Sequence, residues 1–448
     1  MKIQKPKGCR KMKILLVAID TLRADHLGCY GYERDTSPNI DKFAGEASVF
    51  DDAISPCIPT DPAFTSLYTG LHSISHGVVS VGGEEAEPKA KFLPEILYGE
   101  GYLTAAVDDL YRHRKWYVRG YDHYTYPRRE RQDRRILHAC NVNERVIPLL
   151  KQIRDKDFFL FVHYWDPHTP YVPPKEYRRL FYTGNEEDPA NRSMDKAKQS
   201  PVWDLYRDFY ELEGRKITDT DYLVAQYDSE IRYVDEKVGE LLNALEEANI
   251  AEETLVILTS DHGENVAEHG IYCDHVGLYE SVIHVPLIMK WQKFPKKRIQ
   301  ETVQLLDIAP TILDILKIPA GAMEGRSLLP VMENKKEGYS EIFLEECTYQ
   351  AKRAIRTKRY KFIKALDRGV YRDSPLRELY DLKEDPLETN NQAEEQPDTA
   401  GELESKLHSW TESKLAGRVD PLLLQITRGF PGRLWMEENA EIMKDRYG

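Results

Sequence analysis

Three apolar runs in this chain end in the same way, and that recurrence limits the folds open to it more than any other feature. Lys13 to Ile19 (KILLVAI) runs into Asp20-Thr21, Phe158 to His168 reads FFLFVHYWDPH, and Thr254 to Glu264 reads TLVILTSDHGE. Each has the pattern of a buried strand that delivers polar, chemistry-bearing residues at its carboxyl end, as the central strands of a parallel sheet do. Between the last two, Leu223, Tyr227, Ile231, Val234, Val238, Leu241 and Leu245 recur every three or four residues and mark a long amphipathic helix. Strands alternating with helices predict an α/β fold with a mostly parallel central sheet between helices.

The remainder of the chain divides by composition. Residues 183–217 contain NEEDPANRSMDKAKQSP, too polar for a core, and are expected to form an insertion at the rim of the site. From EIFLEECTYQAKRAIRTKRYKFIKAL onward apolar and charged residues alternate, which predicts a smaller C-terminal subdomain built on an antiparallel sheet. The expected organisation is a catalytic domain over 12–332, a subdomain over 333–415 and a tail over 416–448 packed on the body or on a neighbour; a homo-oligomer is expected. A formal charge of -13 and a pI near 5.6 argue against a general nucleic-acid binder, which needs a basic face. The basic start of the chain leads into a strand without a small-residue cleavage site, and no other run approaches a membrane span, so no membrane partner is expected. Cys9, Cys29, Cys57, Cys140, Cys273 and Cys347 are scattered without paired spacing, which reads most simply as a reducing, cytoplasmic setting.

Strand ends bring Asp20 and Asp261-His262 to one region, with Thr60 in a turn before a short helical segment expected from about Pro62. Two carboxylates and an imidazole form a mixed oxygen and nitrogen set that suits Mn, Zn, Mg or Ca. Taken singly, an Asp-His pair or a strand-end aspartate is commonplace. Their order is not: ILLVAIDTLRADHLGCYG, TSPNIDKFA, TSLYTGLHSISHGV, HYWDPHTPYVPP, YDSEIRYVDEKVGELL, LVILTSDHGE, LDIAPTILDIL, EGRSLLP and ELYDLKEDPLETNN together resemble the sulfatase family of the alkaline phosphatase superfamily, from Lys13 to Asn391. The resemblance implies an alkaline phosphatase-like fold. It also implies a metal held by Asp20, Asp261, His262 and the nucleophile itself. Thr21 and His262 stand where sulfatases commonly carry Asp and Asn, as in the phosphonate monoester hydrolase and phosphodiesterase branch, which implies Mn or Zn over Ca.

The family nucleophile is a Cys or Ser in C/S-x-P-S/T-R, matured to formylglycine. Counting back from Leu67-Tyr68-Thr69-Gly70 places Thr60 there, with Phe64 in place of the arginine; Cys57 begins a similar motif but stands three residues too early. Threonine cannot become formylglycine, yet a metal and a helix N-terminus can activate its hydroxyl directly. Relatives of that kind act on phosphorus. The family alignment also puts Asp109 and Tyr111 at a lysine and a histidine, and His275 at a second lysine, while His168 in DPHTPY matches the substrate-contacting histidine. The expected reaction is metal-dependent hydrolysis of a small phosphodiester or phosphonate monoester, with Thr60 attacking, His168 as general acid, His275 as helper, and Phe64 and Tyr111 on the substrate. Asp109, His168 and His275 are candidates for a second metal, or Asp109 for a cationic substrate group; loop capping by Asp108 or Asp109 is the plain alternative. Sulfate-ester hydrolysis through Cys57, phosphotransfer, and a degenerate binding module are the rival readings.

Overall fold

The computed structural model describes residues 12–82, 87–127, 137–203, 207, 215–432 and 434; Cys9, the arginine-rich stretch after Pro127, part of the 183–217 insertion and the end of the tail lie outside the described residues. Thirteen strands, numbered in chain order, form two sheets among them. The larger contains β1 (Lys13–Ile19), β2 (Ser48–Ile54), β4 (Leu103–Val107), β5 (His123–Thr125), β6 (Phe158–Tyr164), β7 (Thr254–Thr259), β8 (His284–Lys290) and β9 (Lys297–Gln304), in the order β5-β4-β6-β1-β7-β8-β2-β9. Only β8 runs against its neighbours. The expected α/β architecture with a mostly parallel sheet is therefore what the chain adopts.

Alternation along the central strands divides the core. Leu15, Val17 and Ile19 face one side with Leu160, Val162 and Leu258, packed under the helices Ala139–Ile153 and Thr220–Glu247. Ile14, Leu16 and Ala18 face the other with Phe159, Phe161 and Ile257, covered by the helices Thr60–Thr69, Leu93–Gly99 and Ile308–Leu316. Because both faces are covered, β1 has no polar face at all, which is why it reads as an unbroken apolar run. Register then sets the site: Ile19 pairs with Tyr164 and Ala18 with Thr259, so Asp20, Trp165 and Ser260-Asp261 leave the sheet at one edge.

The second sheet has the order β13-β12-β11-β10-β3. Its antiparallel part is β10 (Glu341–Cys347), β11 (Ala351–Thr357), β12 (Tyr360–Asp367) and β13 (Arg377–Asp381), packed on the helix Pro397–Leu415. The fifth strand, β3 (Cys57–Ile58), comes from the catalytic half and pairs in parallel with β10. The stretch before Thr60 is thus held by the C-terminal subdomain. The helix itself starts at Thr60 and not at Pro62; Ala63 N–H already bonds Pro59 O at 3.1 Å, and Pro62 occupies a first-turn place whose N–H would have had no partner.

Side chains reinforce that junction. His72 Nε2 donates to Phe343 O at 3.0 Å and its Nδ1 lies 3.4 Å from Glu345 Oε2; Arg353 bonds Glu345 at 2.5 Å and forks onto Asp420 with two 2.7 Å bonds. Burial alone would lower the His72 pKa, but the Cys57 sulfur and the Glu345 carboxylate overcome it and raise it from 6.5 to about 10. A raised folded pKa stabilises fully below pH 6.5 and loses that contribution as pH rises through about 10. In urea melts, the stability advantage of wild type over His72→Gln should be on the order of 2 kcal/mol at pH 6 and shrink toward zero by pH 10; an advantage independent of pH would mean that His72 acts uncharged.

Candidate metal centre and its rim

Asp20 follows β1 and Asp261-His262 follow β7, and these three offer ligand atoms that lie within 4.8 Å of one another, all in fully buried side chains. Each carboxylate has one oxygen tied down. His163 Nε2 holds Asp20 Oδ2 at 3.1 Å, while the amides of Thr21 and His262 donate to Asp261 Oδ1 at 3.3 and 2.9 Å. The other two oxygens, Asp20 Oδ1 and Asp261 Oδ2, are buried without a hydrogen-bond partner. His262 Nδ1 faces the carbonyl of Gly263 at 3.0 Å and must carry the proton there, which turns the Nε2 lone pair toward Asp261 Oδ2, 3.3 Å away. Burial first, and then the Asp261 charge, push Asp20 up to about 7. Unbonded oxygens, a lone pair and uncompensated negative charge at one point fit a divalent cation.

The backbone around Asp20 is strained to reach this geometry. Thr21, a β-branched residue, sits at φ 51. Its carbonyl accepts from Tyr227 Oη at 2.7 Å, Arg23 N–H donates back to Tyr227 at 3.0 Å, and Leu22 N–H bonds Ser260 Oγ at 3.0 Å. The Arg23 guanidinium pairs with Asp25 and Glu268 and donates to Glu264 O at 3.1 Å, so it braces the loops on either side of the site.

Thr60 completes the group. Its hydroxyl lies 3.2 Å from His262 Nε2 and donates to that lone pair. From there side chains close a circuit around it. The His262 ring is 4.6 Å from His275, His275 is 5.6 Å from His168, His168 stacks on Trp165 at 4.9 Å, and Trp165 meets His113 at 5.6 Å. His113 Nδ1 is 3.2 Å from Asp61, the residue after Thr60, and Arg114 Nε bonds the same carboxylate at 3.0 Å. Burial lowers His168, and burial with the neighbouring His262 lowers His275 strongly. His113 goes the other way: burial disfavours its charge, but Asp61, Asp20 and Asp109 outweigh that and raise it. His113 is thus a rim imidazole whose surroundings favour its charged form. Sequence reading missed it and Arg114 because both lie beyond the strand end, in LYRHRKW, where the family pattern offers no register.

Other sequence candidates fall elsewhere. Cys57 is buried in β3, where its sulfur accepts Ser73 N–H at 3.3 Å; it has no place in the circuit. Phe64 is fully buried against Phe161 and the back of His163, and Tyr111, 43% exposed, leans on Tyr124; neither ring stands in the circuit. Asp108 caps the loop by accepting Leu110 N–H at 2.8 Å and the Tyr124 hydroxyl, while Asp109 is buried within electrostatic reach of His113 and His163. Among the described residues, Asp109, His168 and His275 do not form a second group with metal-ligand spacing, so the two-metal expectation has no geometric support. His76 bonds Ser66 Oγ, Glu264 accepts from Tyr171, and His269 stacks on Tyr279, all scaffold contacts.

Residues 13–318 match the family model described as Sulfatase, and residues 267–414 match the C-terminal model of N-sulphoglucosamine sulphohydrolase. Among curated proteins, an N-acetylglucosamine-6-O-sulfatase of Bacteroides thetaiotaomicron is 24% identical, covering 85% of this chain and 82% of its own. The multifunctional alkaline phosphatase superfamily protein PehA of Trinickia caryophylli is 25% identical, covering 73% and 78%. Among solved structures, the phosphonate monoester hydrolase of Agrobacterium radiobacter superposes with a TM-score of 0.70 at 22% identity over 92% of this chain and 97% of that one. A putative sulfatase of Bacteroides thetaiotaomicron gives 0.73 at 21% identity, over 90% and 93%.

Equilibrium dialysis against Mn or Zn should find one ion per chain and a higher melting temperature in the loaded protein. His163→Gln, which frees Asp20 Oδ2, should weaken the ion by roughly 10–100-fold; unchanged affinity would show that His163 does not orient this ligand.

Proposed function

The chain belongs to the sulfatase family, and on that premise we propose that it hydrolyses phosphorus esters, phosphodiesters or phosphonate monoesters, with Thr60 as the nucleophile. The observation that carries this reading is the position of the Thr60 hydroxyl, 3.2 Å from His262 Nε2 and at the first residue of its helix. Cys57, the residue that could mature to formylglycine, is engaged in a strand of the other sheet. Asp20, Asp261, His262 and Thr60 would hold one divalent ion, Mn or Zn by the donor set. That ion supplies positive charge for an ionised hydroxyl and for the oxygens of the ester.

The residues of the chain divide the work. Thr60 gives its hydroxyl proton to solvent and its Oγ attacks phosphorus, the bond to the departing alcohol breaks, and the alcohol leaves with a proton. His168 would supply it: its Nδ1 donates to Thr169 O at 2.6 Å, which leaves Nε2 for the substrate, and an anionic ester beside the ring would oppose the lowering that burial causes. His113, beside Thr60 through Asp61, would offer a donor to the non-bridging oxygens. Water then cleaves the phospho-threonine, releasing the acid product and returning a proton to Thr60. Two features favour a monoanionic group over a dianion: the family arginine position is Phe64, and both His113 and Arg114 are already paired with Asp61. Sulfate esters are the second reading, favoured by the names of the relatives, most of which are sulfatases.

An aryl phosphodiester, phosphonate, phosphomonoester and sulfate, run with Mn and with Zn, should give their highest kcat/KM on the first two. Thr60→Ala should lose at least about 10³-fold on the best of them; retained activity would remove Thr60 as nucleophile. His168→Ala should lose roughly 10²–10⁴-fold with an alkyl leaving group and far less with p-nitrophenolate, which departs without a proton. Equal losses on both leaving groups would assign the proton to another residue, His113 being next in line.

A further inference from the structure

The loop that carries His168 stands on two feet, and one side chain reaches both. Asp166, two residues before His168, and Val172, four after it, each meet the Glu230 carboxyl on the helix Thr220–Glu247. Between the feet the chain keeps its shape by local bonds: His168 N–H donates to Trp165 O at 2.9 Å and His168 Nδ1 to Thr169 O at 2.6 Å. The Tyr171 hydroxyl adds a lateral tie to Glu264 at 2.7 Å. Trp165 and His168 are the part of the loop that enters the ring circuit around Thr60. Where they stand in that circuit depends on what holds the feet.

Glu230 belongs to a row of polar side chains on the buried side of the long helix, where an amphipathic pattern alone would place apolar ones. Gln226, one turn before it, donates to Arg178 O at 2.9 Å; Tyr233, three residues after it, accepts Cys140 N–H at 3.1 Å and sets its ring edge-on to His138. The Asp166 carboxylate comes to the same place. It accepts Ala139 N–H at 2.5 Å at the start of the helix Ala139–Ile153, with His138 Nδ1 3.6 Å away. Two carboxyl groups in contact, 2% and 6% exposed, cannot both be ionised there. Asp166 has the amide and the imidazole. Glu230 has burial and the Asp166 charge, which raise it well above its ordinary range against the opposing Val172 amide and Arg178. Glu230 therefore keeps the proton, donating its O–H to Asp166 while accepting Val172 N–H.

We infer that Glu230 is a positioning residue for the proton donor: by holding Asp166 and Val172 together it fixes how far His168 stands from the departing alcohol. This role rests on His168 supplying that proton, as proposed above. Reach matters because proton transfer needs donor and acceptor at hydrogen-bonding distance, and a misplacement of about 1 Å can cost 10²-fold. A leaving group that departs as a stable anion does not feel the displacement, whereas an alkoxide does. General support of the fold would act on both alike.

Two variants of the Mn-loaded enzyme test this on an alkyl and a p-nitrophenyl ester of the phosphorus acid it turns over best. Glu230→Leu removes both bonds and should lower kcat about 10–100-fold on the alkyl ester and less than about twofold on the p-nitrophenyl ester, with KM little changed. Glu230→Gln keeps a donor for Asp166 and an acceptor for Val172, and should restore wild-type kcat on both. Hydrogen exchange reads the loop without turnover: the amides of 165–172 should exchange about tenfold faster in Glu230→Leu and at the wild-type rate in Glu230→Gln. Equal losses on the two esters, a loss in Glu230→Gln as large as in Glu230→Leu, unchanged exchange, or a Leu variant that does not fold would each overturn the positioning role. His168→Ala, run beside them, keeps two failures apart. If it separates the two esters and Glu230→Leu does not, the positioning role falls and the proton donor stands. If His168→Ala does not separate them, the proton donor is another residue and both fall.

Discussion

Two carboxylates buried at the end of an apolar sheet are the constraint on which the rest of this structure is organised. Asp20 and Asp261 have no exposed surface, and each keeps one oxygen without a hydrogen bond. Such an arrangement is costly in the absence of a cation, and the raised Asp20 pKa expresses that cost. The surroundings hold the two groups in place all the same. His163 and two backbone amides fix their other oxygens, Tyr227 on the long helix and Ser260 after β7 fasten the Thr21 turn, and Arg23 ties the neighbouring loops together. Preorganisation of this kind keeps the ligand oxygens aimed at one point before any ion arrives.

Thr60 is held by a different device. Thr60 opens a helix whose preceding residues are drawn into the second sheet as β3, and the buried His72, Glu345, Arg353 and Asp420 series ties the turn after that helix to the same sheet and on to the helix Pro421–Arg428. The C-terminal subdomain therefore does more than cover the catalytic one. It holds the stretch before Thr60 from behind, and from β10 the Glu346 carboxylate accepts the amide of Gly277, two residues after His275. A single sheet reaches the site from two sides.

Charge on the rim is distributed in a way that departs from the family pattern. Phe64 fills an arginine position with an apolar ring that backs His163, and the alignment's lysine and histidine positions hold Asp109 and Tyr111. Arg114 and His113, whose charged form its carboxylate neighbours favour, are both bound to Asp61. The family shown by the comparisons accounts for the fold; these local exchanges bear on how much negative charge the site can neutralise.

Much of this was legible in the chain itself. Unbroken apolar runs at Ile14 to Ile19, Phe158 to Tyr164 and Thr254 to Thr259 can only be central strands, and the polar residues that end them belong at the sheet's carboxyl edge; the three-to-four spacing from Leu223 to Leu245 is a helix for the same periodic reason. Counting from Thr69-Gly70 picks out Thr60, which opens the ten-residue helix and sets its hydroxyl beside His262, whereas the Cys57 sulfur meets Ser73 N–H. What only the tertiary structure decided is everything set by loops and by contacts between distant segments. His113 and Arg114 come to Asp61 because the chain after β4 folds back across the helix that Thr60 begins, β3 joins a sheet formed almost three hundred residues later, and Tyr371 meets Asp274 through a glycine turn. Periodicity reports which face of an element is buried, but it carries no information on which loops approach one another, since that depends on the packing of whole elements.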